Sequence, residues 1–288
     1  MKIMITGANG QVGIDLLELL IMQDIQVYAN FRDKKNQKFL KHKNIKWIKH
    51  DFQNILKRRI KIDILINCIA SHNFSKKKNF SDYMNSNIIA VKNIKKFAIL
   101  NKVKLILNLS TISVYGKIKV NKLKENYIPD KPCELGITKL TGERVLDNSV
   151  NFINLRLPGV LTSSANYTRP WLKNLIYKLK KNKKIIVSNY ERKFNNLIDT
   201  VDIVRFINHI LKYKLYKNKI NKDFNLSASN PIKLSQIINL IKENYLSKSK
   251  LMIKKNNMPS YIIDNTKIIN TFKFYPSSVK DIVLRNLK

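Results

Sequence analysis

The chain is 288 residues long and 44% apolar, with 55 Lys and Arg against 19 Asp and Glu, a formal net charge of +36. Its length suits one large α/β unit or two lobes sharing a core, and no segment approaches the roughly eighteen consecutive apolar residues of a membrane-spanning helix, so no membrane association is expected. Two cysteines, Cys68 and Cys133, argue against a disulfide framework and read as reduced thiols; with a strand pattern at the first residues that leaves no room for a leader, they point to the cytoplasm.

The apolar run Ile3-Met4-Ile5 reads as a buried strand. It leads into Thr6-Gly7-Ala8-Asn9-Gly10-Gln11-Val12-Gly13, after which Ile14, Leu16, Leu17, Leu19 and Leu20 carry helical spacing. A glycine-punctuated turn between strand and helix is what a dinucleotide diphosphate needs. Glycine lets the backbone approach the phosphates, and the helix N-terminus offers unpaired N–H groups and positive dipole. Ile25–Phe31, Ile45–Ile48 and Ile62–Asn67 read as the next three strands, and Phe80–Leu100 as a helix through Tyr83, Ile88, Val91, Ile94 and Phe97. Val103–Leu109 is a fifth strand, Gly136–Val145 a helix and Phe152–Leu157 a sixth strand. Near-continuous apolar strands alternating with helices predict a doubly wound parallel sheet, a Rossmann fold.

Beyond Pro158 the pattern loosens. Pro170–Lys180, Val201–Leu211 and Leu234–Tyr245 read as helices, and Ile185–Val187, Leu197–Ile198 and Phe224–Leu226 as short strands. The expected organisation is a dinucleotide-binding domain over 1–157 and a smaller α/β substrate lobe over 158–288, interleaved with it, with ligand bound between them. His42, His50, His72 and His209 show no metal-ligand spacing, so no metal is expected.

The chain resembles the extended short-chain dehydrogenase/reductase family of NAD(P)-dependent nucleotide-sugar epimerases, dehydratases and reductases. Thr6–Gly13 matches its T-G-x-x-G-x-x-G fingerprint, and His50-Asp51-Phe52 its adenine-holding pair. Cys68-Ile69-Ala70 matches the small residues under the cofactor, and Asn87 the asparagine of V-N-x-x-G-T, here followed by Ile88-Ile89-Ala90. Ser110–Gly116 matches S-[ST]-x-x-V-Y-G with Thr111 at the active-site hydroxyl, and Leu155–Pro158 the strand near the nicotinamide. The resemblance implies cofactor contacts at Thr6, Gly7, Asn9, Gly10, Gln11, Val12, Gly13, Asp51, Phe52, Ala70, Asn87, Lys139 and Pro158, catalytic roles for Thr111 and Lys139, and a homodimer. Phe194–Asp202 resembles the lead into the substrate-lobe helix, with Asn195 expected at the substrate. Arg169 and Trp171 are candidate contacts to a diphosphate and to a base or sugar face.

One departure outweighs these matches. The family's Y-x-x-x-K pair falls on Leu135 and Lys139, so the tyrosine that exchanges a proton with the substrate is replaced by leucine. The spacing matters because i and i+4 share a helix face, and losing such a group typically costs about 10² to 10⁴ in rate. Candidate substitutes are Glu134, Cys133, Tyr115 or a water reaching the gap, while Thr111 could orient a substrate carbonyl without supplying the proton. NAD users place an acid at the end of the second strand; here stand Phe31 and then Arg32, Asp33, Lys34 and Lys35, which favours NADP(H) over NAD(H).

Three functions follow. The first is an oxidoreductase or epimerase acting on a nucleotide-linked sugar with a non-standard proton donor. The second is a catalytically silent cofactor-binding protein, a sensor or inactive partner. The third, RNA binding, draws on the charge, but 46 of the 55 basic residues are lysine and 9 arginine, spread along the chain with small clusters at Lys76–Lys78 and Lys180–Lys184. Arginine's planar fork suits phosphates and base edges better. Lysine, asparagine and isoleucine share A/T-rich codons, so nucleic acid is not the expected partner.

Overall fold

A computed structural model describes residues 1–23, 25–33, 40–71, 79–163, 171–254 and 260–287. Lys34, Lys35, His72, Lys76–Lys78, Arg169 and Pro170 lie outside the described residues. The chain divides into two compact units, 1–117 with 128–156 and 203–224, and 118–127 with 157–202 and 225–288.

The first unit opens with β1 (Lys2–Thr6), α1 (Gln11–Ile21), β2 (Gln26–Phe31), β3 (Ile45–Lys49) and β4 (Ile64–Asn67). A helical stretch follows, α2 (Phe80–Met84), a turn of π-helix at Asn85–Ile89 and α3 (Ala90–Leu100), then β5 (Leu105–Thr111). After β6 (Lys122–Leu123) of the second unit come α4 (Glu134–Val145) and β7 (Phe152–Leu157). The second unit continues with β8 (Gly159–Leu161), α5 (Trp171–Lys180), β9 (Ile185–Ser188), β10 (Lys193–Phe194) and β11 (Leu197–Asp199). Helix α6 (Thr200–Lys212) leads back to β12 (Lys222–Asn225), and β13 (Ile232–Lys233), α7 (Leu234–Tyr245), β14 (Leu251–Lys254), β15 (Ile262–Ile263), α8 (Thr266–Phe272) and α9 (Val279–Arg285) complete the chain.

Seven strands form one sheet in the order β12-β7-β5-β4-β1-β2-β3, and the pairs β2–β3, β1–β2, β1–β4 and β4–β5 are parallel. This is the doubly wound sheet expected from the alternating pattern. The order reverses between β1 and β4, and at such a switch point the strand ends splay into a crevice. β4, β7 and all but the last residue of β5 are buried along their whole length, as strands covered on both faces must be. Met4, Leu65 and Ile106 of adjacent strands pack with Phe52, Ile94 and Phe97 in one core cluster.

The strand expected at Phe224–Leu226 begins two residues earlier, and the single helix expected over Phe80–Leu100 is broken by the π-turn. No described helix is long and apolar enough to cross a membrane.

Candidate functional site

β1 delivers the chain into Gly7, whose φ of +66° suits glycine. The turn is drawn tight: Gly10 N donates to Gly7 O at 3.0 Å, and Ala8 N to Asn30 O at 2.8 Å. A Cβ on Gly13 would stand 2.3 Å from Gly7 O, so the third glycine is what lets α1 start against the turn. Gly10 is the N-cap of α1 and supplies no side-chain acceptor, and no acid lies in the first turn. The first N–H groups of the helix therefore face their partner uncapped and unopposed by charge, which fits a diphosphate. Asn9 ties this loop to the next by donating to Asp33 O at 3.0 Å. Gln11 and Val12 open the helix. Thr6 turns inward instead, its hydroxyl donating to Asn67 Oδ1 at 2.8 Å.

At the end of β2, Phe31 is buried, its ring edge-on to Trp47 at 5.9 Å. Arg32 beside it is exposed, with Nε 3.3 Å from Asp33 Oδ2. After β3, Asp51 accepts from Gln53 N at 3.0 Å, while the Phe52 ring is buried edge-on to Phe97. Phe52 is therefore committed to the core through its side chain.

Lys139 lies on α4 one turn after Leu135 and is 4% exposed. Its Nζ donates to Ile69 O and Leu109 O, 3.1 Å each, at the carboxyl ends of β4 and β5. Burial holds the ammonium down to about 8, against the pull of Cys68 and Glu143. Burial likewise pushes the Cys68 thiol up to about 12. Leu135 is half-buried.

Two glycines bring α4 to this place. A Cβ on Gly136 would meet Ser113 O at 2.2 Å, and one on Gly142 would meet Asn87 O at 2.1 Å. Asn87, inside the π-turn, accepts from Ser71 N at 3.3 Å and donates to Thr138 Oγ1 at 3.0 Å. Its side chain thus pins the loop carrying Ala70 to the helix carrying Lys139. Thr111 caps the 3₁₀ turn Ile112–Tyr115, accepting from Ser113 N and donating to Ser113 Oγ, both at 3.2 Å.

A buried polar assembly went unread in the sequence. Asn67, Asn108 and Asn154 hydrogen-bond in succession across β4, β5 and β7, each contact 2.8 Å. Thr6 closes one end, and Asp223 accepts from Asn154 at 2.9 Å at the other. Arg156 then bridges Asp223 and Glu143, 2.7 Å to each, and donates to the Tyr115 hydroxyl at 3.1 Å with its guanidinium 5.0 Å from the ring centre. Ser110 donates to Glu143 at 2.5 Å. Arg156, Glu143 and Tyr115 are thus an internal brace. Only one signal pointed to it: each of three apolar strands carries a single asparagine.

In the second unit, a cavity of about 310 Å³ is lined by Trp171, Arg192, Phe194, Asn196 and Tyr261 among others. The Trp171 and Phe194 rings meet edge-on at 4.8 Å, and Asn196 Nδ2 donates to the Tyr261 hydroxyl at 3.2 Å. Asn195, expected at the substrate, is instead buried, donating to Ala228 O and Ile263 O and accepting from Ile263 N at 2.8 Å. Pro158 directly follows β7.

Residues 3–227 match the model of the NAD dependent epimerase/dehydratase family. The uncharacterized protein MJ1055 of Methanocaldococcus jannaschii is 29% identical, over 90% of this chain and 84% of that one. The fold matches Bordetella bronchiseptica WbmG in complex with NAD, with a TM-score of 0.81 at 18% identity, over 99% of this chain and 92% of that one. It also matches the UDP-N-acetylglucosamine 4-epimerase of Bacillus cereus, with a TM-score of 0.76 at 18% identity, over 99% and 98%.

Proposed function

Because the chain belongs to the NAD dependent epimerase/dehydratase family, we propose that it is an oxidoreductase or epimerase that works on a nucleotide-linked sugar with an NAD(P)-type dinucleotide. The observation that carries this reading is the glycine cradle, a turn with no room for side chains that ends on an uncapped helix N-terminus. Gly7, Gly10 and Gly13 would hold the diphosphate, Asp51 and Phe52 the adenine side, and Ala70 and Lys139 the nicotinamide side. A bound dinucleotide would supply the hydride acceptor and donor for such chemistry.

Arg32 sets the finer preference. An exposed guanidinium at the end of β2, where an acid would otherwise receive a ribose hydroxyl, suits a 2′-phosphate, so NADP(H) is the cofactor of this reading. The second-unit cavity supports a nucleotide substrate. Arg192 offers a fork to a diphosphate, and Trp171, Phe194 and Tyr261 offer faces to a base or sugar. The Bacillus cereus neighbour, a UDP-N-acetylglucosamine 4-epimerase, agrees in substrate class. A homodimer associating through α4, which exposes Ile137, and a cytoplasmic location for the free cysteines belong to the same reading.

Leu135 favours a second reading, a protein that binds the dinucleotide without redox chemistry. The deciding experiment measures dinucleotide binding by fluorescence and turnover on a panel of nucleotide sugars, for the native chain and for Leu135→Tyr. Turnover by the native chain supports the enzyme. Binding with turnover only in Leu135→Tyr supports the silent protein, and binding of neither dinucleotide overturns both.

A further inference from the structure

The geometry points to Lys139 as the group that itself carries the substrate proton in this chain, in place of the hydroxyl that Leu135 does not supply. This rests on the enzymatic reading above. Lys139 Nζ is held by two strand-end carbonyls and, among the described residues, by no carboxylate. An ammonium has three N–H donors and a neutral amine has two. Ile69 O and Leu109 O engage two of them in either state. What remains is a third proton to donate, or a lone pair to receive one, so both protonation states are served without rearrangement.

The other groups near α4 are committed or misplaced. The Tyr115 hydroxyl is buried and receives an Arg156 N–H, with the guanidinium packed over its ring. Thr111 directs its hydroxyl proton to Ser113. Cys133 is exposed at the N-cap of α4, and Glu134 lies in the first turn, one residue before Leu135 and so about a hundred degrees round the helix from it. Leu109, whose carbonyl anchors Nζ, stands two residues before Thr111 on the same strand, so the amine and the hydroxyl share one end of β5.

In the oxidative direction, the carbinol O–H breaks and its proton joins the Nζ lone pair. The carbinol carbon becomes a ketone as its hydride passes to the oxidised dinucleotide, and the ammonium returns the proton in the reverse step. The charged and titratable groups that face Nζ are Cys68 beyond β4 and Glu143 on α4, and burial outweighs both in setting its proton affinity. A base poised near the working pH is what such a transfer needs.

Two measurements test this. First, the chemical shift of the isotope-labelled Lys139 side chain is titrated in the dinucleotide-free protein. A midpoint of about 8 is expected, and the ordinary lysine value overturns the proposal. Second, dinucleotide reduction by a panel of UDP- and dTDP-linked sugars is followed in single turnover against pH. The native rate should rise to a plateau with the same midpoint. Lys139→Met and Lys139→Arg should lose about 10² to 10⁴ of it, the latter keeping the charge without the titration, with dinucleotide binding measured separately. An unchanged rate and pH profile in Lys139→Met overturns the role of Lys139 and leaves the enzyme reading standing. A silent native chain beside an active Leu135→Tyr supports the silent protein, and overturns the enzyme reading and this role together. Silence in both proteins overturns the enzyme reading, and this role with it.

Discussion

Gly142 of α4 lies so close to Asn87 that a Cβ there would stand 2.1 Å from the Asn87 carbonyl oxygen. The π-turn at Asn85–Ile89 carries that carbonyl toward the neighbouring helix, and glycine accommodates it. Such turns inside α-helices recur at functional sites, and this one places the Asn87 amide between the loop after β4 and Thr138. Gly142→Ala should therefore destabilise the fold by roughly 1–3 kcal/mol, as overpacking of a close contact does, read from chemical denaturation. It should also weaken dinucleotide binding, since the displaced α4 carries Lys139.

The asparagine ladder makes a second prediction. Asn108 both accepts from Asn67 and donates to Asn154, so Asn108→Leu strands a donor on one side and an acceptor on the other. At about 1–3 kcal/mol for each buried unpartnered group, the loss should be on the order of 2–6 kcal/mol. Removing two adjacent rungs together should cost less than the sum of the single losses, because the second deletion removes a group already left unpaired. Denaturation midpoints of Asn67→Ala, Asn108→Ala and the double variant check it, and strict additivity would show that the rungs act independently.

Lys139 links the site to pH-dependent stability. In the unfolded chain it titrates near its ordinary 10.5, and in the folded protein near 8. Between those values the unfolded state holds more protons, so stability rises with pH across the window, and below about 8 the whole penalty is present. At roughly 1.4 kcal/mol per unit this penalty is on the order of 3 kcal/mol. Lys139→Met removes it together with the Nζ bonds to Ile69 O and Leu109 O, at about 1 kcal/mol or more each. The variant is expected to lose the rise in stability between pH 8 and 10.5. Unfolding measured across that range decides it.

The parts legible in the sequence were those with a local cause. The glycine turn was readable because three glycines, a preceding apolar run and following helical spacing lie within twenty-odd residues, and β1 and α1 followed. The central strands β1, β4, β5 and β7 were readable from their nearly unbroken apolar runs, whereas β12, at one edge of the same sheet, was expected as a short strand of the C-terminal lobe. Asn195 was expected at the substrate from the segment around it, but its amide is consumed by backbone groups near residues 228 and 263, which no local pattern joins to it. The cavity likewise gathers residues from 171 to 261. The ladder escaped notice because a single asparagine in a strand reads as a turn former or a strand end. Its meaning appears only when the register sets Asn67 opposite both Thr6 and Asn108. Elements after Tyr245 are short, and β14 is mostly exposed, so hydrophobic periodicity had little to report there.

Arg32 and Asp33 supply the last prediction, on cofactor choice. The pair is exposed, with 3.3 Å between Nε and Oδ2, and an ion pair in water is worth about 0–1 kcal/mol. Asp33 therefore restrains Arg32 weakly, while the guanidinium's bond to a 2′-phosphate, a charge-assisted contact, is worth roughly 1.5–3 kcal/mol. Arg32→Ala should weaken NADPH binding by about tenfold or more and leave NADH binding within about twofold. Asp33→Asn should act in the opposite direction, because it removes both the competing partner and a negative charge beside the phosphate, and should tighten NADPH binding by about fivefold or less. Dissociation constants for the two dinucleotides, measured at matched ionic strength on the three proteins, decide the matter. If NADH binds the native chain more tightly and Arg32→Ala changes neither constant, Arg32 does not read the phosphate.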